Sequence, residues 1–216
     1  MHVHVHGAGR DGRDAWPGLS DEDAVYVGFD LSLPMRENVA QLGAGVPADS
    51  VVFAHSAGAV PVALCVQAGS IAPRSLVLVE PGLYDLARGD AAIERHIEAI
   101  ERARALSSSG DLFGYWSVVR PLMFGGAAEL SNWSQERETA ARFEAKQPPW
   151  GFSVDASAIG AIPTLVVTGD WNAEYEVIAG VLSRQGAIHR HLRGHDHRPQ
   201  DHEDFSSMVE DFLRSS

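Results

Sequence analysis

Short apolar runs recur along the chain, and glycine-rich or polar breaks separate them from stretches with helical spacing. His2-Val3-His4-Val5-His6 alternates as a strand does and breaks at Gly7-Ala8-Gly9. A polar loop, Arg10 to Asp14, leads to Trp16-Pro17-Gly18 and an acidic segment read as a helical turn, Ser20 to Asp23. Val25 to Phe29 is a second strand ending at Asp30. Ser32 is placed to cap a helix with Pro34 in its first turn, running to about Leu42 and stopped by Gly43. Val51 to Ala54 is a third strand, followed by an apolar helix from Ala59 to Ala68 with Pro61 near its start. Ser75 to Val79 is a fourth, ending at Glu80-Pro81-Gly82.

From Tyr84 to Asp155 the rhythm is helical. Ile93, Ile97 and Ile100 mark one helix face, ended by Ser107-Ser108-Ser109-Gly110. Leu112 to Phe124 is aromatic and apolar, and Ser134 to Lys146 reads as a charged surface helix. Strands then resume with Thr164 to Thr168 and Ala187 to Leu192, separated by a helix from Glu174 to Arg184. Phe205, Met208, Val209, Phe212 and Leu213 lie on one side of a last helix, with Asp201 as its cap. Alternating strands and helices predict an α/β fold: a mainly parallel sheet of about six strands, covered on both faces. Residues 1–82 and 156–216 would form the core, and 83–155 a helical cap. In such sheets ligands lie beyond the carboxyl ends of the strands. Ser56, Glu80, Asp170 and His195 all follow strands on that edge.

Composition narrows the partners. A formal charge of −12 over 216 residues argues against nucleic acid or an anionic membrane. No apolar run is long enough to span a bilayer, and no secretion signal is visible. The single cysteine, Cys65, lies in an apolar run and reads as a buried free thiol. These features are those expected of a soluble, cytoplasmic protein.

The candidate chemistry centres on Ala54-His55-Ser56-Ala57-Gly58. Small residues flank a serine between strand and helix, which is what a sharp turn presenting Ser56 Oγ requires. A serine hydroxyl needs a base. The candidate is His195, in Arg193-Gly194-His195-Asp196-His197-Arg198-Pro199, between the last strand and the last helix. His55 reads as packing or backbone support.

At this point the chain resembles the α/β-hydrolases. The resemblance rests on His6-Gly7 after an early strand, Trp16 beyond it, the Ser56 turn, a cap insertion after the fourth strand, Pro163-Thr164-Leu165-Val166-Val167-Thr168-Gly169, and Gly194-His195 ahead of the Phe205 helix. It implies Ser56 as nucleophile, His195 as general base, and the backbone N–H groups of Ala57 and Ala8 as oxyanion donors. The family's usual acid position, three residues beyond Gly169, holds Asn172, which carries no charge. Glu80, at the alternative position after the preceding strand, is the preferred acid, with Asp170 as the alternative. The cap aromatics Phe113, Tyr115, Trp116 and Phe124 are expected to wall a substrate pocket. The expected activity is that of a serine esterase on a small, fairly apolar ester, with no cofactor. A serine in place of aspartate at the turn argues against carboxylate-nucleophile chemistry. The family's N-terminal hairpin is missing, so the His2–His6 strand is expected at a sheet edge, where a second copy could cover it as a homodimer.

Three rival readings accompany this one. Gly7, Gly9 and Gly12 match a dinucleotide fingerprint, with Asp30 near the ribose position, but Arg13 to Gly18 is a poor helix start. His2, His4, His189, His191, His195, His197 and His202 include His-x-His pairs that suit a metal, yet no carboxylate pattern fixes a geometry, and no metal is assigned. A non-catalytic small-molecule receptor rests on the uncharged Asn172.

Overall fold

In a computed structural model, residues 1–19 and 23–215 are described; the acidic turn expected around Asp21 falls largely outside them. The chain divides into two compact units, residues 1–88 with 148–216, and residues 89–147.

The first unit holds a six-stranded, all-parallel sheet: β1 (His2–Val5), β2 (Val25–Val27), β3 (Val51–His55), β4 (Ser75–Val79), β5 (Thr164–Thr168) and β6 (Ile188–His191). Their spatial order is β2-β1-β3-β4-β5-β6. Strands β3, β4 and β5 are buried at every position, which explains their continuous β-branched and leucine-rich runs. On one face Val51, Phe53, Val77, Val79, Leu165 and Val167 pack with Trp16 and with Phe205, Val209 and Phe212 of the last helix. The first unit's helices are α1 (Met35–Gly45), α2 (Ala59–Gln67), α6 (Ala156–Gly160), α7 (Ala173–Arg184) and α8 (Phe205–Ser215).

Several expected boundaries move. Helix α1 runs through Gly43 to Gly45 and begins after Pro34 rather than at Ser32, whose hydroxyl instead donates to Asp30 at 2.7 Å. Asp201 does not cap α8: its carboxylate pairs with Arg198 in a short turn over Pro199–Asp201, and the helix begins at Phe205. Cys65 is buried and free, its Sγ donating to the Val39 carbonyl at 3.3 Å.

Strand β1 is not an edge. Parallel pairing of His2–Val5 with Val51–Ala54 on one side and of Val3–Val5 with Val25–Val27 on the other places it inside the sheet. His4, 1% exposed, stacks on Tyr26 and Phe53 and lies beside Trp16, so its imidazole serves as an aromatic core ring. The alternation that suggested a wet edge comes from histidines used as flat, packable rings. The argument for a second copy covering β1 goes with it.

The second unit contains α3 (Ala91–Ser108), α4 (Leu112–Phe124) and α5 (Trp133–Glu144). Ile93, Ile97 and Ile100 form the buried stripe of α3, and Asp90 caps it by accepting from the Ala92 N–H at 2.8 Å. The unit is shorter than the expected 83–155 because both flanks fold with the first unit. The Asp85 carboxylate accepts from the backbone N–H groups of Gly151, Phe152 and Ser153 at 2.7–3.0 Å, and Tyr84 packs on Trp150.

Candidate active site

Chain direction reverses between β1 and β3. The chain leaves β1 for β2 on one side, then returns past β1 to build β3 through β6 on the other. A crevice opens at the carboxyl ends of the strands at such a switch point. Register places Val5 opposite Ala54, so Gly7 and Ser56 emerge side by side.

The sharp turn at Ser56 depends on its neighbours. Ser56 has φ 53°, in the left-handed region, where a side chain costs about 1–3 kcal/mol. The turn passes so close to β1 that a Cβ on Gly58 would stand 2.1 Å from the His6 carbonyl oxygen. A Cβ on Gly7 would lie 2.9 Å from both Ser56 Cβ and His55 Nδ1. From β4, the Gly82 N–H donates to the Ser56 carbonyl at 2.9 Å. Ser56 is therefore gripped from two neighbouring strand ends while its side chain stays partly open.

The residue that meets Ser56 is His197, not His195. The Ser56 hydroxyl donates to His197 Nε2 at 2.9 Å, the direction that holds when Nδ1 carries the proton toward Glu80. His195 is exposed, with its ring edge-on to His202 at 5.6 Å. The cause lies in the loop after β6. Asp196 takes φ 45° and turns the backbone, and its carbonyl closes on Gly169, where a Cβ would stand 2.3 Å away. His55 then donates Nε2–H to the His197 carbonyl at 2.9 Å. On the far side Arg198 reaches both Asp201 and the Ala15 carbonyl. The turn at Asp196 carries His195 outward and brings the next histidine inward.

Glu80 stands behind His197. Its side chain is fully buried, and Oε2 lies 3.4 Å from His197 Nδ1, at the long end of a hydrogen bond. Oε1 accepts from the Gly169 N–H at 2.6 Å, and Oε2 also accepts from the Trp171 indole at 3.2 Å. Burial raises the Glu80 carboxyl above the ordinary carboxylate range, opposed by His197 and by these N–H donors. The Tyr175 ring stacks on His197 at 4.9 Å, and Trp171 lies edge-on at 6.2 Å. The His55 imidazole is held well below 6.5, first by desolvation and then by His197, and so stays neutral.

The other candidates sit elsewhere. Asp170 also has positive φ, but its carboxylate pairs with Arg193 at the surface, and that bond lowers its pKa. Asn172 caps α7 by accepting from the Glu174 N–H at 3.0 Å. Ala57 is buried and Ala8 half-buried. After Gly7, Gly9 and Gly12 the chain forms a short 3-10 turn, Gly12–Ala15, and Gly7 serves the Ser56 turn; the long helix that a pyrophosphate site needs does not open there. In the second unit Tyr115 and Trp116 are buried, and the Trp116 indole donates to Glu136 at 2.5 Å. Phe113 packs on Trp133, and Phe124, 54% exposed, lies against Trp116 and Phe143. These four rings serve the packing of their own unit.

Trp171, Tyr175 and His197 were not singled out for the site from sequence. The dipeptide Asp196-His197 carried the same signal as Gly194-His195, and only the left-handed turn between the two histidines separates them.

No family model matches the chain, and no curated protein does. Solved structures do. MenH from S. aureus aligns at TM-score 0.60 and 14% identity, over 99% of this chain and 93% of that one. A hydrolase from Oleispira antarctica aligns at TM-score 0.66 and 11% identity, over 98% and 90%. A carboxylesterase structure from the thaumarchaeon Nitrososphaera gargenis aligns at 0.59 and 12%, over 99% and 89%. The chain has the α/β-hydrolase fold. The Ser56 turn lies at the end of β3 and Glu80 at the end of β4. Among the described residues, no helix is long and apolar enough to cross a membrane.

Proposed function

We propose that the protein is a serine hydrolase that cleaves small, fairly apolar carboxylic esters through an acyl-enzyme. One observation carries the reading: a hydroxyl on a left-handed strand-to-helix turn, 2.9 Å from an imidazole that has a fully buried carboxylate behind it. His197 Nε2 takes the Ser56 proton as Oγ attacks the ester carbonyl, and Glu80 stabilises the imidazolium that forms. The tetrahedral oxyanion is held by the backbone N–H groups of Ala57 and Ala8, each such donor contributing about 10²–10³ in rate. His197 then returns the proton to the departing alcohol. Water repeats the sequence on the acyl-enzyme, releasing the acid and restoring Ser56.

The esterase assignment draws on similarity to the thaumarchaeal carboxylesterase and to a thermophilic esterase of the same fold. The receptor reading rests on the uncharged Asn172, and the buried Glu80 behind His197 favours the hydrolase over it. A fluorophosphonate should label the folded protein at Ser56, and Ser56→Ala should abolish both labelling and hydrolysis across a chain-length panel of aryl esters. Folded protein that is neither labelled nor active on any ester would defeat the proposal.

A further inference from the structure

We propose that Glu176, His189 and His191 form a binding site for a divalent transition-metal ion of the zinc class, which ties α7 to the edge strand β6. The three side chains each present one donor atom, and these atoms lie within 4.8 Å of one another. Glu176 Oε2 is 2.9 Å from His191 Nε2 and 3.6 Å from His189 Nε2. Bond lengths of about 2.0–2.2 Å in a tetrahedral zinc site put neighbouring donor atoms about 3.3 Å apart, within that spread. His189 and His191 alternate on one face of β6, and their rings meet edge-to-face at 4.5 Å. Among the described residues this is the one group of three such donors close enough to share an ion; His2 and His4 lie in β1, four strands away.

One further feature points to a ligand rather than to an ion pair alone. Glu176 Oε1 is buried without a hydrogen-bond partner among the described residues, so this carboxylate has an acceptor to spare. The buried Thr168 hydroxyl lies 2.7 Å from His189 Nε2, so an ion at that nitrogen would replace this hydrogen bond. The ion would sit outside the proposed reaction: Glu176 follows Tyr175, which stacks on His197, and β6 leads into the loop that carries His197. Its effect is to tie α7 to the strand that leads into that loop.

The test uses the full chain, with any purification tag removed and metal stripped by chelation. Calorimetric titration with Zn²⁺ should give one site per chain. Co²⁺ should develop the visible absorption of a four-coordinate site, and Zn²⁺ should raise the melting temperature. Glu176→Gln and His191→Ala should each remove the cobalt spectrum and weaken Zn²⁺ by more than the about 10–100-fold that losing a supporting partner costs. His191 is exposed, so its variant should fold, with circular dichroism as the check. The paired variant His195→Ala, His202→Ala should bind as the parent does. Zn²⁺ binding that survives Glu176→Gln and His191→Ala, binding that is lost with His195 and His202 instead, or no stoichiometric binding at all would each overturn the proposal.

Discussion

Two clusters of carboxylate and imidazole stand on the same parallel sheet, and they differ in burial and in direction. At the end of β4, Glu80 is sealed from water, and each of its oxygens has an N–H donor besides the His197 contact. The line runs one way, from carboxylate through His197 to Ser56. At the exposed edge, Glu176 faces two histidines at once, and one of its oxygens has no hydrogen-bond partner among the described residues. The first arrangement is linear and suits the proton transfer proposed above. The second converges on one point and suits the proposed cation. Asp170 completes the contrast. It also follows a strand with a left-handed backbone, yet its charge is committed to Arg193 in solvent.

The contrast breaks most sharply if the wrong carboxylate matters. Glu80→Gln should lower turnover by about 10⁴, the scale on which removing the charge behind a catalytic histidine acts. Asp170→Asn should change it only a few-fold, and steady-state kinetics on an aryl ester measures both. Because burial raises the Glu80 carboxyl, turnover should fall on the acid side before an exposed carboxylate would protonate. Below that raised value Glu80 is neutral and no longer supports the imidazolium. A pH profile of kcat/KM reads this limb.

A smaller effect concerns stability. His55 has a folded-state pKa depressed below 6.5, so it favours the native state above 6.5, and that contribution is lost as pH falls through the lowered value. Melting temperatures on either side of 6.5 should therefore drop toward acid, and His55→Gln, which can still donate to the His197 carbonyl, should flatten the slope. A slope unchanged in the variant would place the titrating group elsewhere.

Much of this architecture was legible in the chain because its signals are local. The runs at Val51, Ser75 and Thr164 are mostly apolar, as strands buried on both faces tend to be. Ala54 and Gly58 mark the turn that Ser56 needs. The failures are non-local. Whether β1 lies at an edge depends on where β2 pairs, and β2 is only three residues long. The choice between His195 and His197 depends on one left-handed residue, Asp196, and on the way Gly169, His55 and Arg198 hold that loop. None of these contacts leaves a pattern in the sequence near the histidines. Glu80 came into view through the resemblance, as a carboxylate at the end of the strand before the usual acid position, while the donors that hold it, Gly169 and Trp171, come from the next strand's exit.

The central claim is that His197 and not its neighbour two residues earlier activates Ser56. The most direct measurement is the rate of fluorophosphonate labelling at Ser56 in folded His197→Ala and His195→Ala. Loss of a positioned general base should slow His197→Ala by about 10²–10⁴ and leave His195→Ala at the parent rate. Slow labelling in His195→Ala with a parent rate in His197→Ala would contradict the account.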